Sequence, residues 1–208
     1  MTEIVIVRHG ETESNKRGIF RGRLDVPLNE RGILQAEWVA EALRHEPVVS
    51  VYSGPLSRAE DTARAIAGKH GLSPIVDRAF DNIDLGEWQG REKAAVKRDD
   101  PERWGIWVND PDSLVIPGGE SLAAIRARAL ARTLALAREH RGRRFVIVTH
   151  RSVAKLLAGA LLGMERGTFW KFYMDNAGYS VFGHDESGFV LLTWNEACHL
   201  KERVIEEY

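Results

Sequence analysis

The stretch Glu3-Ile4-Val5-Ile6-Val7-Arg8-His9-Gly10-Glu11-Thr12 decides the reading of this chain, together with a second, Phe145-Val146-Ile147-Val148-Thr149-His150. Each is a short unbroken apolar run that stops at a histidine. Runs of this length fit strands of a parallel sheet buried on both faces. Open parallel sheets bind ligands just beyond the carboxyl ends of their strands. Two histidines delivered to that edge, one beside an arginine, predict a site for an anion and for proton or phosphoryl chemistry.

Outward from the first run lies a loop rich in Gly and Arg, Asn15 to Pro27. A helix is expected from Glu30 to Leu43, capped by Asn29, with Leu34, Trp38 and Ala42 on one face. Val48 to Tyr52 reads as a second strand and Ser53-Gly54-Pro55 as a turn. Ser57-Arg58-Ala59-Glu60 matches a capping box, which places Arg58 in the first turn of the next helix. Phe80 to Gly119 differs in texture, with Gly86, Gly90, Pro101, Pro111 and Pro117 among four tryptophan or phenylalanine positions. It reads as an insertion of short helices folded over the sheet edge. Leu122, Ile125, Ala129, Leu130, Thr133, Leu134 and Ala137 recur at helical spacing and predict a long amphipathic helix. The His150 strand follows, then a helix through Leu162 and two strands, Tyr179 to Phe182 and Phe189 to Thr193. Strands alternating with helices argue for a three-layer α/β/α fold with a mostly parallel central sheet and a small inserted cap. With 208 residues and no repeats or low-complexity linker, the chain is expected to form one domain.

Net charge is −1, so there is no global pull toward nucleic acid or an anionic membrane. An anion site must then be a local cluster of cations. Cys198 is the only cysteine, which excludes a disulfide framework and a thiolate metal cluster. No secretory signal or long apolar span is read, and a cytoplasmic location is expected. No metal-ligand spacing such as His-x-x-x-His occurs.

A neutral imidazole is a good nucleophile toward phosphorus when one nitrogen is free and the other is fixed by a hydrogen bond. His9 and His150 are candidates, and taken singly each also fits a structural histidine at a strand end. Arg8 offers a forked, permanently charged donor that suits phosphate oxygens. Arg58, in a first helical turn, has backbone amides and the helix dipole beside it. Alone it also fits a solvated surface arginine.

Five segments occur here in the order seen in one superfamily. They are Arg8-His9-Gly10-Glu11-Thr12, Gly54-Pro55-Leu56-Ser57-Arg58-Ala59, Gly86-Glu87-Trp88-Gln89-Gly90, Pro117-Gly118-Gly119-Glu120-Ser121 and Val148-Thr149-His150. Over essentially its whole length the chain resembles the histidine phosphatase superfamily, which includes cofactor-dependent phosphoglycerate mutases. The resemblance implies that His9 becomes phosphohistidine while Arg8, Arg58 and His150 surround the transferring phosphoryl group, without metal or cofactor. Asn15 matches a position that touches the phosphate in the family.

The resemblance also exposes a departure. The position that carries the family's proton-donating carboxylic acid is Asn82 here, and an amide cannot supply a proton. Asp81 and Asp84 flank it. In an extended segment Asp84 shares a face with Asn82 and is the better substitute, whereas Asp81 would need a local bulge; Asp84 equally fits a loop residue that caps backbone amides. Phe169-Trp170, Asp175-Asn176-Ala177-Gly178-Tyr179-Ser180-Val181 and Cys198-His199-Leu200 resemble the branch of metal-independent phosphoserine phosphatases. That branch reads Glu-Ile-Asp-His-Gly where this chain reads Asn82-Ile83-Asp84-Leu85-Gly86. Both the acid and the histidine associated with phosphoserine are replaced. Arg21 and Gly22 lie in a loop that faces substrate in the family. A cation at Arg21, and another at Arg151, would suit a substrate carboxylate or second phosphate.

The expected function is therefore hydrolysis of a small acidic phosphate ester. The alternatives are a mutase and a phosphate-binding or regulatory module weakened by the missing acid. A homodimer is a further expectation, from the aromatics Phe169, Trp170, Phe172 and Tyr173. They equally fit a helix packed on its own sheet.

Overall fold

The computed structural model describes residues 1–201. Six strands make one sheet: β1 (Thr2–Arg8), β2 (Val48–Ser53), β3 (Ile75–Val76), β4 (Arg144–Thr149), β5 (Tyr179–Asp185) and β6 (Gly188–Glu196). Their spatial order is β3-β2-β4-β1-β5-β6. The pairs β3–β2, β2–β4 and β4–β1 are parallel, whereas β1–β5 and β5–β6 are antiparallel. Seven α-helices accompany them among the described residues: α1 (Glu13–Lys16), α2 (Glu30–Leu43), α3 (Ser57–Lys69), α4 (Lys93–Asp99), α5 (Pro101–Asn109), α6 (Leu122–Glu139) and α7 (Arg151–Leu161).

The continuous apolar runs are explained by burial on both sides. Ile4, Ile6, Phe145 and Ile147 pack with Leu122, Ile125 and Leu136 of α6 and Leu156 and Leu157 of α7. Val5, Val7, Val146 and Val148 pack on the opposite face with Val39 and Leu43 of α2 and Ala63 and Ile66 of α3. Alternate residues of one strand thus serve two separate cores, the signature of a three-layer α/β/α fold. Between β1 and β2 the chain packs α2 on one face, and after β4 it packs α7 on the other. Such a divergence between adjacent parallel strands opens a crevice at their carboxyl ends.

Three local expectations change. Asn29 does cap α2, its side chain accepting from the Gly32 amide. The inward face of α2, however, is Gln35, Ala36, Val39, Ala40 and Leu43, and Leu34 is 53% exposed. The buried face is not that of Leu34; it includes the polar Gln35, which accepts from the Glu11 amide at 2.8 Å. Ser57 does not cap α3, whose N-cap is Leu56 without a side-chain bond. Ser57 instead donates its hydroxyl to Asp25 at 2.8 Å, while Arg58 still falls in the first turn. The two-residue strand β3 and the one-turn helix α1 are too short to leave a periodic signal.

Residues 80–119 carry α4, α5 and 3₁₀ turns at Arg78–Phe80, Gly86–Trp88 and Pro111–Ser113. Trp88 is fully buried, and its indole N–H donates to Asp100 at 3.0 Å. Phe20, Trp88, Trp104 and Trp107 form a stacked and edge-on cluster with ring centroids 5.2 to 6.3 Å apart. The aromatics of this segment therefore join it to the loop that follows β1.

Candidate active site

The register of two strands builds the centre. Arg8 stands opposite Thr149 in the parallel β1–β4 pair, so the next residues, His9 and His150, emerge side by side. The His9 amide donates to the Thr149 carbonyl at 3.0 Å. The two rings then lie 5.1 Å apart, centroid to centroid, close to the spacing of neighbouring strands.

His9 is buried, and its Nδ1 is 2.6 Å from the Gly10 carbonyl oxygen. A carbonyl only accepts, so Nδ1 carries the proton and donates it. In the neutral ring Nε2 then keeps its lone pair. Burial, reinforced by Arg58, His150, Arg21 and Arg8, holds the His9 imidazole well below its usual value of 6.5. His150 is depressed in the same way by burial and then by Arg58, Arg21, Arg128 and Arg8. Both rings are neutral at physiological pH, and both sit in a field of arginines.

The arginines are held by the backbone. Arg8 donates through Nη1 to the Met174 carbonyl at 2.8 Å. Arg58 donates through Nη1 to Leu24 at 2.9 Å and through Nη2 to Gly22 at 3.1 Å. Burial pushes the Arg58 guanidinium down to about 10, opposed by Asp25 and Asp81 and aided by Arg8. Arg21 donates to the Thr12 hydroxyl at 3.1 Å. Nε of Arg58 and both ring nitrogens of His150 are buried with no hydrogen-bond partner among the described residues. Buried polar atoms in folded proteins are nearly always partnered. The Arg58 Nε–H and the single N–H of the neutral His150 ring are two donors in the His9 surroundings that suit the oxygens of an anion.

A pocket opens over this centre. His9, Asn15, Arg21, Gly22, Asn82, His150, Arg151 and Ser152 line it, so it gathers most of the residues singled out in the sequence. Asn15 uses Oδ1 to accept from the Thr12 amide and hydroxyl at 3.0 and 2.8 Å, fixing the turn after His9. The Arg151 guanidinium lies 5.9 Å over the Tyr173 ring. Gly22 takes φ +52°, and its carbonyl receives both Arg58 and the Asn82 amide, the latter at 2.7 Å.

Asp84 is placed elsewhere. Its Oδ1 accepts from the Gly86 amide at 2.9 Å, its Oδ2 is 3.8 Å from Arg23, and it is not among the residues that line the pocket. Asp81 accepts from the Asn82 amide at 2.7 Å and lies 3.5 Å from Arg23. Both carboxylates are thus engaged outside the pocket lining, Asp84 as a cap on a backbone amide. Arg128 donates to the carbonyls of Ala79, Asp81 and Asn82 at 2.6, 2.8 and 3.2 Å.

The sequence reading did not foresee the far wall of the pocket, formed by Phe20, Leu85, Trp107, Phe169 and Trp170, nor Lys93 beside it. The density of tryptophan in the inserted segment was the available signal. The reading also left His199 without a role. Its Nε2 donates to the Ala177 carbonyl at 2.9 Å, and the Ala177 amide in turn donates to the carbonyls of Arg8 and His9 at 3.0 and 3.2 Å. A residue near the carboxyl end thus braces the backbone that carries His9. The aromatics that suggested a dimer are used internally: Trp107 packs against Phe169 and Trp170, and Phe172 against Trp194. Among the described residues no group of three or more His, Cys, Asp or Glu is placed to hold a metal ion, and no helix is long and apolar enough to cross a membrane.

Comparison with known proteins agrees with this geometry. The model of the histidine phosphatase superfamily (branch 1) matches residues 4–197. Phosphoserine phosphatase 1 of Hydrogenobacter thermophilus is 36% identical over 208 residues, covering 100% of this chain and 99% of its own. Metal-independent phosphoserine phosphatase of Arabidopsis thaliana is 33% identical, with 96% and 84% of the two chains covered. The solved structure of Bacillus stearothermophilus YhfR superposes with a TM-score of 0.92 at 25% identity, over 97% of this chain and 100% of that one. The chain therefore belongs to the histidine phosphatase superfamily, branch 1.

Proposed function

We propose that this protein hydrolyses phosphate monoesters, without a metal, through a phosphohistidine on His9. The observation that carries the proposal is the state of His9: neutral, oriented through Nδ1, with its Nε2 lone pair beside Arg8, Arg58 and His150. In the first step Nε2 bonds to phosphorus and the ester oxygen departs with the bonding electron pair. In the second, water attacks the phosphohistidine and releases inorganic phosphate. Phosphoryl transfer spreads charge over three equatorial oxygens, so fixed donors do most of the work. Arg8, Arg58 and His150 are those donors. Relatives that carry the name phosphoserine phosphatase support hydrolysis over the mutase reading.

Arg21 and Arg151 line the pocket and support an acidic substrate. The proposal extends to a cytoplasmic protein that acts on a small soluble ester, with neither nucleic acid nor membrane as partner. It extends also to a homodimer, for which the edge strand β6 offers Val190 and Leu192, 47% and 45% exposed. Sedimentation would read that mass. The activity itself is tested by phosphate release from 4-nitrophenyl phosphate in excess EDTA. Release that His9→Ala abolishes is expected, and release that survives His9→Ala overturns the proposal.

A further inference from the structure

Cleavage of a phosphate ester needs some way to stabilise the departing oxygen. An aliphatic alkoxide is strongly basic and leaves well only with a proton delivered to it. Such delivery is typically worth about 10²–10⁴ in rate. In this pocket the lining residues carry no carboxylate among those described. At position 82 an amide donates to the Gly22 carbonyl at 2.7 Å. The neighbouring carboxylates are held in other bonds. Asp81 accepts from the Asn82 amide and faces Arg23, and Asp84 caps Gly86. Arg128 grips three carbonyls of residues 79–82, and Arg23 takes the Asn82 carbonyl as well, at 3.1 Å. Moving either aspartate to the ester oxygen would break this lattice of charge-assisted bonds.

The apolar part of the lining bears on the departing group. Phe20, Leu85, Trp107, Phe169 and Trp170 line it. Phe169 and Trp170 stand edge-on with centroids 4.7 Å apart, and Trp107 meets both at 5.2 and 5.1 Å. The buried Lys155 ammonium lies 5.1 and 4.9 Å over the Phe169 and Trp170 rings and helps hold them in place. The Trp170 indole donates to the Trp107 carbonyl at 2.9 Å, which joins α5 to the segment after α7. A rigid aromatic wall of this kind favours a flat apolar group by stacking. It offers little to a short polar aliphatic chain.

We propose that the natural substrate is a monoester whose leaving oxygen is weakly basic and borne on a flat unsaturated group, an aryl-type phosphate rather than an aliphatic one. This rests on the hydrolytic reading of His9 and specifies its substrate class. The leaving oxygen departs as an aryloxide, carrying the electron pair of the broken P–O bond, and takes its proton from water. Leu85 contributes apolar surface to the group, and Asn82 holds the Gly22 carbonyl that Arg58 also uses.

The test is a leaving-group series in excess EDTA: substituted phenyl phosphates of graded basicity, together with phosphoserine and 3-phosphoglycerate. The proposal expects kcat/KM to fall steeply along the phenyl series, and the aliphatic esters to lie at least about 10² below phenyl phosphate. Asn82→Asp supplies the second arm. A carboxyl facing the Gly22 carbonyl is favoured in its protonated form. The slope should flatten and the aryl-to-aliphatic ratio shrink about tenfold or more, as a new proton donor would make it. Phosphohistidine labelling of the variant by 4-nitrophenyl phosphate shows that it is folded. Equal turnover of phosphoserine and phenyl phosphate by the parent protein overturns the substrate class while leaving the phosphohistidine mechanism standing. A slope and ratio that folded Asn82→Asp leaves unchanged overturn the assignment of that ratio to position 82. Absence of His9-dependent release from every ester overturns both readings.

Discussion

The imidazoles of His9 and His150 lie 5.1 Å apart because Arg8 and Thr149 are paired across two parallel strands. Burial, reinforced by Arg58, keeps both rings neutral. The Nδ1 bond to Gly10 also fixes the tautomer of His9. In the ligand-free protein, nitrogen-detected NMR should show His9 protonated at Nδ1 and unprotonated at Nε2 throughout the range below 6.5 where an ordinary histidine titrates. An Nε2-protonated ring, or an ordinary titration, would remove the nucleophile.

The same depression sets a sign for stability. Both histidines have folded-state values well below 6.5, so below that pH the unfolded chain binds protons that the folded chain does not. Stability then rises with pH up to the unfolded value and is lost as pH falls beneath it. Urea midpoints measured on either side of 6.5 read this, and the dependence should weaken in His9→Ala. A midpoint unchanged by acid in that window would contradict the burial of neutral rings.

Arg58 serves two purposes with one guanidinium, holding the Leu24 and Gly22 carbonyls and facing the His9–His150 pair. Arg58→Lys keeps the charge and loses the fork. A fall of about 10²–10³ in kcat/KM is expected, the scale for a lost oxyanion donor. Full activity in this variant would show that charge alone suffices.

Gly10 and Gly32 let the turn after His9 sit directly on α2. A Cβ at Gly32 would meet the Glu11 carbonyl oxygen at 2.0 Å, and one at Gly10 would meet the Gly32 carbonyl oxygen at 2.4 Å. These are backbone contacts and cannot be relieved by a side-chain rotation. Gly32→Ala should cost about 1–3 kcal/mol in stability, as overpacking does. The displaced Gly10 carbonyl should also loosen the Nδ1 bond and lower kcat. Calorimetry and steady-state kinetics on one preparation check both effects.

Asp84 accepts from the Gly86 amide, and asparagine can do the same. Asp84→Asn should therefore leave the ratio of aryl to aliphatic turnover unchanged. A selective loss of aliphatic turnover would instead identify Asp84 as a proton donor.

Much of this was legible in the sequence because the decisive signals are local. An unbroken apolar run ending in histidine has one economical interpretation, and two of them at one sheet edge imply a shared site. Asn29 as a cap and the Leu122 to Ala137 periodicity were equally local. What escaped depends on long-range contacts. The face of α2 was misread because Gln35 is buried by accepting the Glu11 amide, at 2.8 Å, while larger apolar neighbours face out. The Asp84 carboxylate is engaged by the Gly86 amide and by the distant Arg23, contacts that no local pattern announces. The aromatic lining joins residues from the first loop, the inserted segment and the segment after α7, a convergence no single stretch announces.

The central claim is the covalent intermediate on His9, and trapping it is the most direct measurement. The protein is mixed with excess phosphorus-labelled phenyl phosphate, quenched in alkali within milliseconds to seconds, digested and mapped. The account predicts label on the peptide bearing His9, bound through Nε2, appearing before free phosphate and absent from His9→Ala. Steady turnover with no label on His9, or label that persists in His9→Ala, would contradict it.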